Sequence, residues 1–203
     1  DVVAISAVNW EHLLAPITIT NINGTTVTAT TLADNIAGTG VTVVAATYSG
    51  DNSQAGTFTS ATGYPSEWLA YDSGVLFSSG STANVLGPNS SNGTSTNAPG
   101  TGTDADFTTV GGATSFDASF LSIEFIPTSN TITLQFTFGS EEYNEYVYAN
   151  VNDALGVWVN GAHVSVTPAG HAISIDTVNQ AATYNPANGN QSRDLYPSNG
   201  VFD

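Results

Sequence analysis

Three glutamates fall within five positions of FGSEEYNEY, residues 138–146: Glu141, Glu142 and Glu145, with Tyr143 and Tyr146 among them. Asn152 and Asp153 follow shortly after. Carboxylates crowded together raise one another's pKa and oppose compactness, unless a cation reverses the sign of the interaction. The chain has almost no cations of its own, with 17 acidic residues against one basic residue, Arg193, and a formal net charge of -16. Carboxylate and amide oxygens are hard donors, and several on one loop suit Ca2+, which takes six to eight of them. Calcium is therefore the expected cofactor, with Glu141, Glu142, Glu145, Asn152 and Asp153 as its candidate ligands. A solvated acidic loop after a strand is the plainer reading of the same residues.

Two further places offer carboxylates. Asp72, in YDSG, precedes a short apolar run and fits either a metal ligand or a turn cap. Asp104 and Asp106, in GTDADF, would project to one side of an extended segment. They join the candidate metal ligands, although a polar loop explains them as well. Asp51, Asp117 and Glu124 are weaker candidates. Trp68 and Tyr71, in GYPSEWLAYDSG, together with Tyr143 and Tyr146, are candidate ligand-binding aromatics, since large rigid rings with one polar end suit recognition surfaces. Packing at a sheet edge accounts for them equally.

Catalytic patterns are scarce. His12, His163 and His171 are scattered, and Glu11-His12 lacks the second histidine of a zincin helix. No cysteine and no Gly-x-Ser-x-Gly elbow occur, and a phosphate loop needs a lysine that the chain does not have. No enzymatic activity is expected. A glycan-active hydrolase remains a third reading, which would need two carboxylates facing across a cleft.

Strand patterns surround these residues. VTVVAATY (41–48) places Val41, Val43, Ala45 and Thr47 on one face, and LSIEFIP (121–127) turns Leu121, Ile123 and Phe125 inward. TITLQFTF (131–138) alternates Ile132, Leu134, Phe136 and Phe138 with polar residues, and the PTSN before it reads as a hairpin turn. Asn160-Gly161, between two alternating runs, predicts a type I′ hairpin, and Asn23-Gly24 offers a second turn. AISIDTV (172–178) is another strand. One short helix is expected over TLADNIAG (31–38), capped by Thr31 and stopped by Gly38, with Leu32 and Ile36 facing the core. Residues 80–106 form a long loop of small polar residues. The expected fold is all-β, one antiparallel β-sandwich of jelly-roll type spanning residues 1–203, with one short helix and long polar loops.

The charge argues against nucleic acid and anionic membranes as partners, because nothing here neutralises phosphates. No apolar run is long enough to span a bilayer. The absence of cysteine fits the cytosol and also a bacterial surface protein stapled by calcium in place of disulfides; the low charge fraction and the wealth of Thr, Ser, Asn and Gly favour the second.

The order of several blocks is specific: a strand ending in YSG (48–50), QAGTFT (54–59), YDSGVLFSSG (71–80), NVLGPNSSN (84–92), FDASFLSIEFIP (116–127), LQFTFGSEEYNEYV (134–147) and NDALGVWVNG (152–161). This closely resembles the choice-of-anchor L domain of bacterial secreted and surface proteins. The resemblance implies an extracellular β-rich module within a larger protein. Domains of this kind continue past GVFD with further strands, so the chain is expected to lack its last strands. Similar modules lie near the tips of calcium-dependent RTX adhesins, where they bind ligands. The expected function is thus a Ca2+-dependent adhesion module, monomeric within a longer chain. Its ligand would be a peptide or protein end, or a carbohydrate, bound through an ion with open coordination. A structural spacer stapled by calcium, with no ligand, is the competing reading.

Overall fold

The computed structural model describes residues 17–59, 71–86, 102–140 and 146–178. Strands β1 (Thr18–Asn21), β3 (Ala55–Thr59) and β4 (Gly74–Phe77) form an antiparallel sheet in the order β1-β3-β4. Strand β2 (Val41–Ser49) pairs antiparallel with β5 (Phe120–Pro127). Three short pairings follow from β6 (Ala154–Leu155), β7 (Trp158–Val159), β8 (Ala162–His163) and β9 (Ile173–Ser174): β6 with β9, β7 with β8, and a lone bridge between Val166 and Ala172. The described residues are thus mainly small antiparallel sheets, with two short helices, α1 (Ala29–Ile36) and α2 (Ala105–Gly111). No helix among them is long and apolar enough to cross a membrane.

Helix α1 is held by burial on one side. Leu32 and Ala33 are fully buried. Leu32 packs with Val27 and Ala55, and Ile22, Tyr48, Val75 and Leu121 close around them. This cluster draws on β2, β3, β4 and β5 together, so α1 ties the two larger sheets to each other. The helix begins earlier than expected: Thr28, not Thr31, is its N-cap, in extended backbone, and its side chain accepts from the Thr31 N–H. Thr31 is occupied inside the first turn, where its hydroxyl donates to the Thr26 carbonyl. The helix stops at Ala37, one residue before Gly38.

Two strand expectations change. In β2 the register slips between Val43 and Ala45, leaving Val44 as an extra residue that is 53% exposed. A bulge of one residue inverts the faces beyond it. Val41 and Val43 are therefore half-buried, but Ala46 and Tyr48 take the inner face beyond the bulge, and Ala45 and Thr47 face out. In β5, by contrast, Leu121, Ile123 and Phe125 lie inward as expected.

The larger change is at residues 131–138. They run without strand pairing, with Ile132, Leu134 and Phe136 all 45–47% exposed. At the turn before them the Thr128 N–H donates to the Gly40 carbonyl at 2.8 Å, which prolongs the β2–β5 ladder past Pro127. Phe138 alone is half-buried, against Val147 and Ile175.

Asn160-Gly161 forms the expected turn, with φ of 51° and 80° at the two residues. Asn23-Gly24 forms no hairpin. The Asn23 Oδ1 accepts from the N–H groups of Thr25, Thr26 and Val27, which closes a compact loop that feeds α1.

Candidate functional site

Described residues on either side of positions 141–145 are anchored by carboxylates. On the near side the Ser140 hydroxyl donates to Asp153 Oδ2 at 2.5 Å. On the far side the Tyr148 N–H donates to Asp176 Oδ1 at 2.6 Å. Asp153 and Asp176 are themselves neighbours through the backbone. The β6–β9 pairing continues one step outward, with the Ile175 N–H donating to the Asp153 carbonyl at 3.1 Å. One step further, the Asp176 N–H donates to Asn152 Oδ1 at 3.2 Å. Two carboxylates on one short ladder therefore hold Ser140 and Tyr148, on either side of residues 141–145. Glu141, Glu142, Tyr143 and Glu145 lie outside the described residues, as does Trp68.

The far end of the loop owes its shape to local strain. Residues 146–150 form a turn closed by the Ala149 N–H on the Tyr146 carbonyl, and Tyr148 and Asn150 adopt φ of 65° and 64°. Such values are uncommon outside glycine and need support from neighbours. The Asp176 carboxylate supplies it at Tyr148, and the Val147 side chain is buried beside Ile175.

Asp176 was not among the sequence candidates. Burial pushes its carboxyl above its ordinary pKa, and the Tyr148 N–H offsets this only in part. A desolvated carboxylate of this kind gains from a nearby cation. Nothing local marks it, because its partner lies 28 residues away in sequence.

Asn152 has a framework role. Its Nδ2 donates to the Gly111 carbonyl at 2.8 Å, while its Oδ1 accepts from Asp176. Both ends of the amide are engaged, and they tie the C-terminal end of α2 to the carboxylate ladder.

Asp104 and Asp106 do not share one face of an extended segment. Asp104 is the N-cap of α2, and its Oδ1 accepts from the N–H groups of Asp106 and Phe107 at 2.9 and 3.0 Å. Asp106 is exposed in the first helical turn, where an acidic side chain complements the helix dipole. Seven helical residues span roughly 10 Å, so Asp104 sits at the opposite end of α2 from the Asn152 contact. Asp72 lies exposed at a bend before β4, also apart from the ladder. Among the described residues, no three His, Cys, Asp or Glu side chains come together as a metal cage.

The aromatics divide. Tyr71 packs against Ile17 and Phe58 in a core cluster. Tyr146 is half-buried in the turn that ends the acidic loop. An unforeseen cluster forms behind α2: Phe107 meets Trp158 edge-on at 5.4 Å, and Trp158 lies 5.2 Å from the His163 ring. His163 Nε2 is 3.0 Å from the Ser165 hydroxyl, which in turn accepts from the Val157 N–H.

The choice-of-anchor L domain matches residues 18–200, nearly the whole chain. No curated protein and no solved structure matches it. With the block order of the sequence and the family match in agreement, the chain belongs to the choice-of-anchor L domain family, and so is a module of a bacterial surface or secreted protein.

Proposed function

We propose that this chain is a Ca2+-dependent ligand-binding module of a bacterial surface adhesin, a single sandwich-like domain in which calcium fixes the loop after residue 140. The observation that carries the reading is the pair of anchors: Ser140 on Asp153 and Tyr148 on Asp176. Five residues separate Ser140 from Tyr146, and three of them are glutamates. On this reading the connection folds back so that its side chains stay near the two anchored residues. Glu141, Glu142 and Glu145 would thus contribute oxygens close to Asp153 and Asp176.

The donor set fits a hard cation. All the groups are oxygen donors, the chain has no lysine to neutralise them, and Asp176 is desolvated in a way that a cation relieves. Asn152 would serve by holding the ladder, since its amide is occupied at both ends. In an acidic protein, a calcium ion with open coordination would hold a peptide carboxylate or a sugar's hydroxyls, with Tyr146 nearby. The protein would act outside the cell, with no catalysis of its own.

Thermal unfolding in EDTA, then across a calcium titration with magnesium as control, tests this. At a free calcium near 100 times Kd, linkage supplies about 2.7 kcal/mol, or roughly 5–10 °C for a domain of this size. The expected result is a rise of that order with calcium, absent with magnesium, and abolished in a triple Glu141→Gln, Glu142→Gln, Glu145→Gln variant. An unchanged melting temperature in calcium overturns the reading.

A further inference from the structure

A concavity lies beside the entry to α2. It is a cleft of about 140 Å3 where the end of β2, the start of β5 and the entry to α2 meet, lined by Ser49, Gly50, Gly102, Thr103, Asp104 and Phe120. Its walls are chiefly polar, with one ring, Phe120, 44% exposed at its edge.

Three polar groups here are unused. The hydroxyls of Ser49 and Thr103 make no hydrogen bond among the described residues. Asp104 Oδ1 accepts both capping N–H groups of α2, and Oδ2 has no donor among the described residues. Gly50 sets the backbone at the end of β2: a Cβ there would lie 2.5 Å from the Tyr48 hydroxyl and 2.8 Å from Ser119 Cβ, and φ is 147°, so the position requires glycine.

We propose that this cleft is a binding subsite for one neutral sugar residue, independent of calcium. The chemistry narrows the ligand by elimination. Among the described residues no basic side chain lines the cleft, and the chain carries a net charge of -16, which disfavours an anion. A metal ion would find one carboxylate only, too few for a calcium cage. An apolar ligand would strand two hydroxyls and a carboxylate oxygen without partners, which is costly in a concave site. A neutral polyol satisfies all three and lays its C–H face on the Phe120 ring. Pockets with a few convergent polar groups and one apolar face bind in this manner. For a single hexose the dissociation constant should be on the order of millimolar.

The test is saturation-transfer NMR with the methyl glycosides of glucose, galactose and mannose, each with EDTA and again with calcium. The expected result is saturation transfer to at least one glycoside under both conditions. Phe120→Ala and Thr103→Val should each weaken binding at least fivefold, while Phe116→Ala, at a ring 76% exposed and outside the cleft, should leave it unchanged. Should Phe120→Ala not fold, Thr103→Val decides alone, since it removes one hydroxyl at constant shape. No transfer to any glycoside, or transfer unaltered by Thr103→Val, overturns the proposal. Transfer that requires calcium also overturns it, and assigns the sugar to an ion-bridged site. Calcium-independent binding in a protein whose melting temperature ignores calcium would sustain the cleft while removing the calcium-dependent function.

Discussion

The Tyr148 N–H points at the Asp176 carboxylate from 2.6 Å, so a half-buried acid holds a tyrosine in left-handed backbone at the end of the acidic loop. The acid gives the turn a charged acceptor, but burial raises its pKa above 3.8. The native state therefore binds a proton more readily at Asp176 than the unfolded chain does. The stability contributed by this group is full below the unfolded value and is lost as pH rises through the folded one. At neutral pH without calcium, Asp176→Asn should melt at the same temperature as the parent or higher, because the amide oxygen still accepts from Tyr148. The difference should vanish below about pH 3.8, the ordinary carboxyl value. In calcium the sign should reverse, with the variant gaining less from the ion. Melting curves from pH 3 to 8, with EDTA and with calcium, check both halves. A variant less stable than the parent in EDTA at neutral pH would contradict this account of Asp176.

Tyr48 gives a second pH signature. Burial pushes its hydroxyl up to about 12; the Ser119 hydrogen bond opposes this and the Asp51 charge adds to it. The hydroxyl also donates to the Asp51 carbonyl at 2.8 Å. With a folded pKa above the unfolded 10.0, its contribution is intact below pH 10 and disappears as pH climbs towards 12. Ultraviolet titration should show one of the eight tyrosines ionising with this late midpoint. Tyr48→Phe should remove that step and flatten the alkaline loss of stability. Survival of the late step in the variant would assign it to another tyrosine.

The sequence is readable where one residue's needs decide the outcome. Asn160-Gly161 demands positive φ and receives it, and the alternation of Leu121, Ile123 and Phe125 needs only a strand with one buried face. It is unreadable where the decision is made elsewhere. The bulge at Val44 inverts half of β2, yet Val44 looks like any other residue of a valine-rich run. The cap of α1 falls on Thr28 because one threonine among several finds extended backbone and the Thr31 N–H. Asp104 looks like a partner for Asp106 until a helix begins between them. FGSEEYNEY draws attention to its own glutamates but not to Asp176, whose carboxylate meets the Tyr148 N–H from 28 residues away in sequence. The cleft beside Phe120 is likewise assembled from three separated segments.

Two leucines separate pattern from burial. Leu32 is fully enclosed by residues from two sheets, whereas Leu134 is 47% exposed on a segment without a ladder. Leu32→Ala should cost about 2–5 kcal/mol through lost contacts and a cavity. Leu134→Lys should stay within about 0.5 kcal/mol, as surface changes do. It should also reduce self-association, since an exposed alternating strand with free backbone groups invites pairing between copies. Urea unfolding and sedimentation of both variants provide the check. A loss at Leu134 as large as at Leu32 would mean that residues 131–138 are paired and covered in solution.

The two ends of α2 are supported in different ways. Asn152 holds the C-terminal end through the Gly111 carbonyl, while Phe107, near the start, rests edge-on against Trp158. Trp158 can lie where it does only because residue 156 has no side chain: a Cβ on Gly156 would collide with the indole ring atoms. Gly156→Ala must therefore displace a large ring that also touches His163, and not merely a flexible tip. Overpacking of this kind costs about 1–3 kcal/mol, which is roughly 2–12 °C in melting temperature for a domain of this size. Displacing Trp158 should also change its fluorescence, and it should loosen α2, with faster amide exchange over residues 105–111. Wild-type stability and an unshifted emission spectrum in Gly156→Ala would show that the indole has room to move, and that α2 does not depend on it.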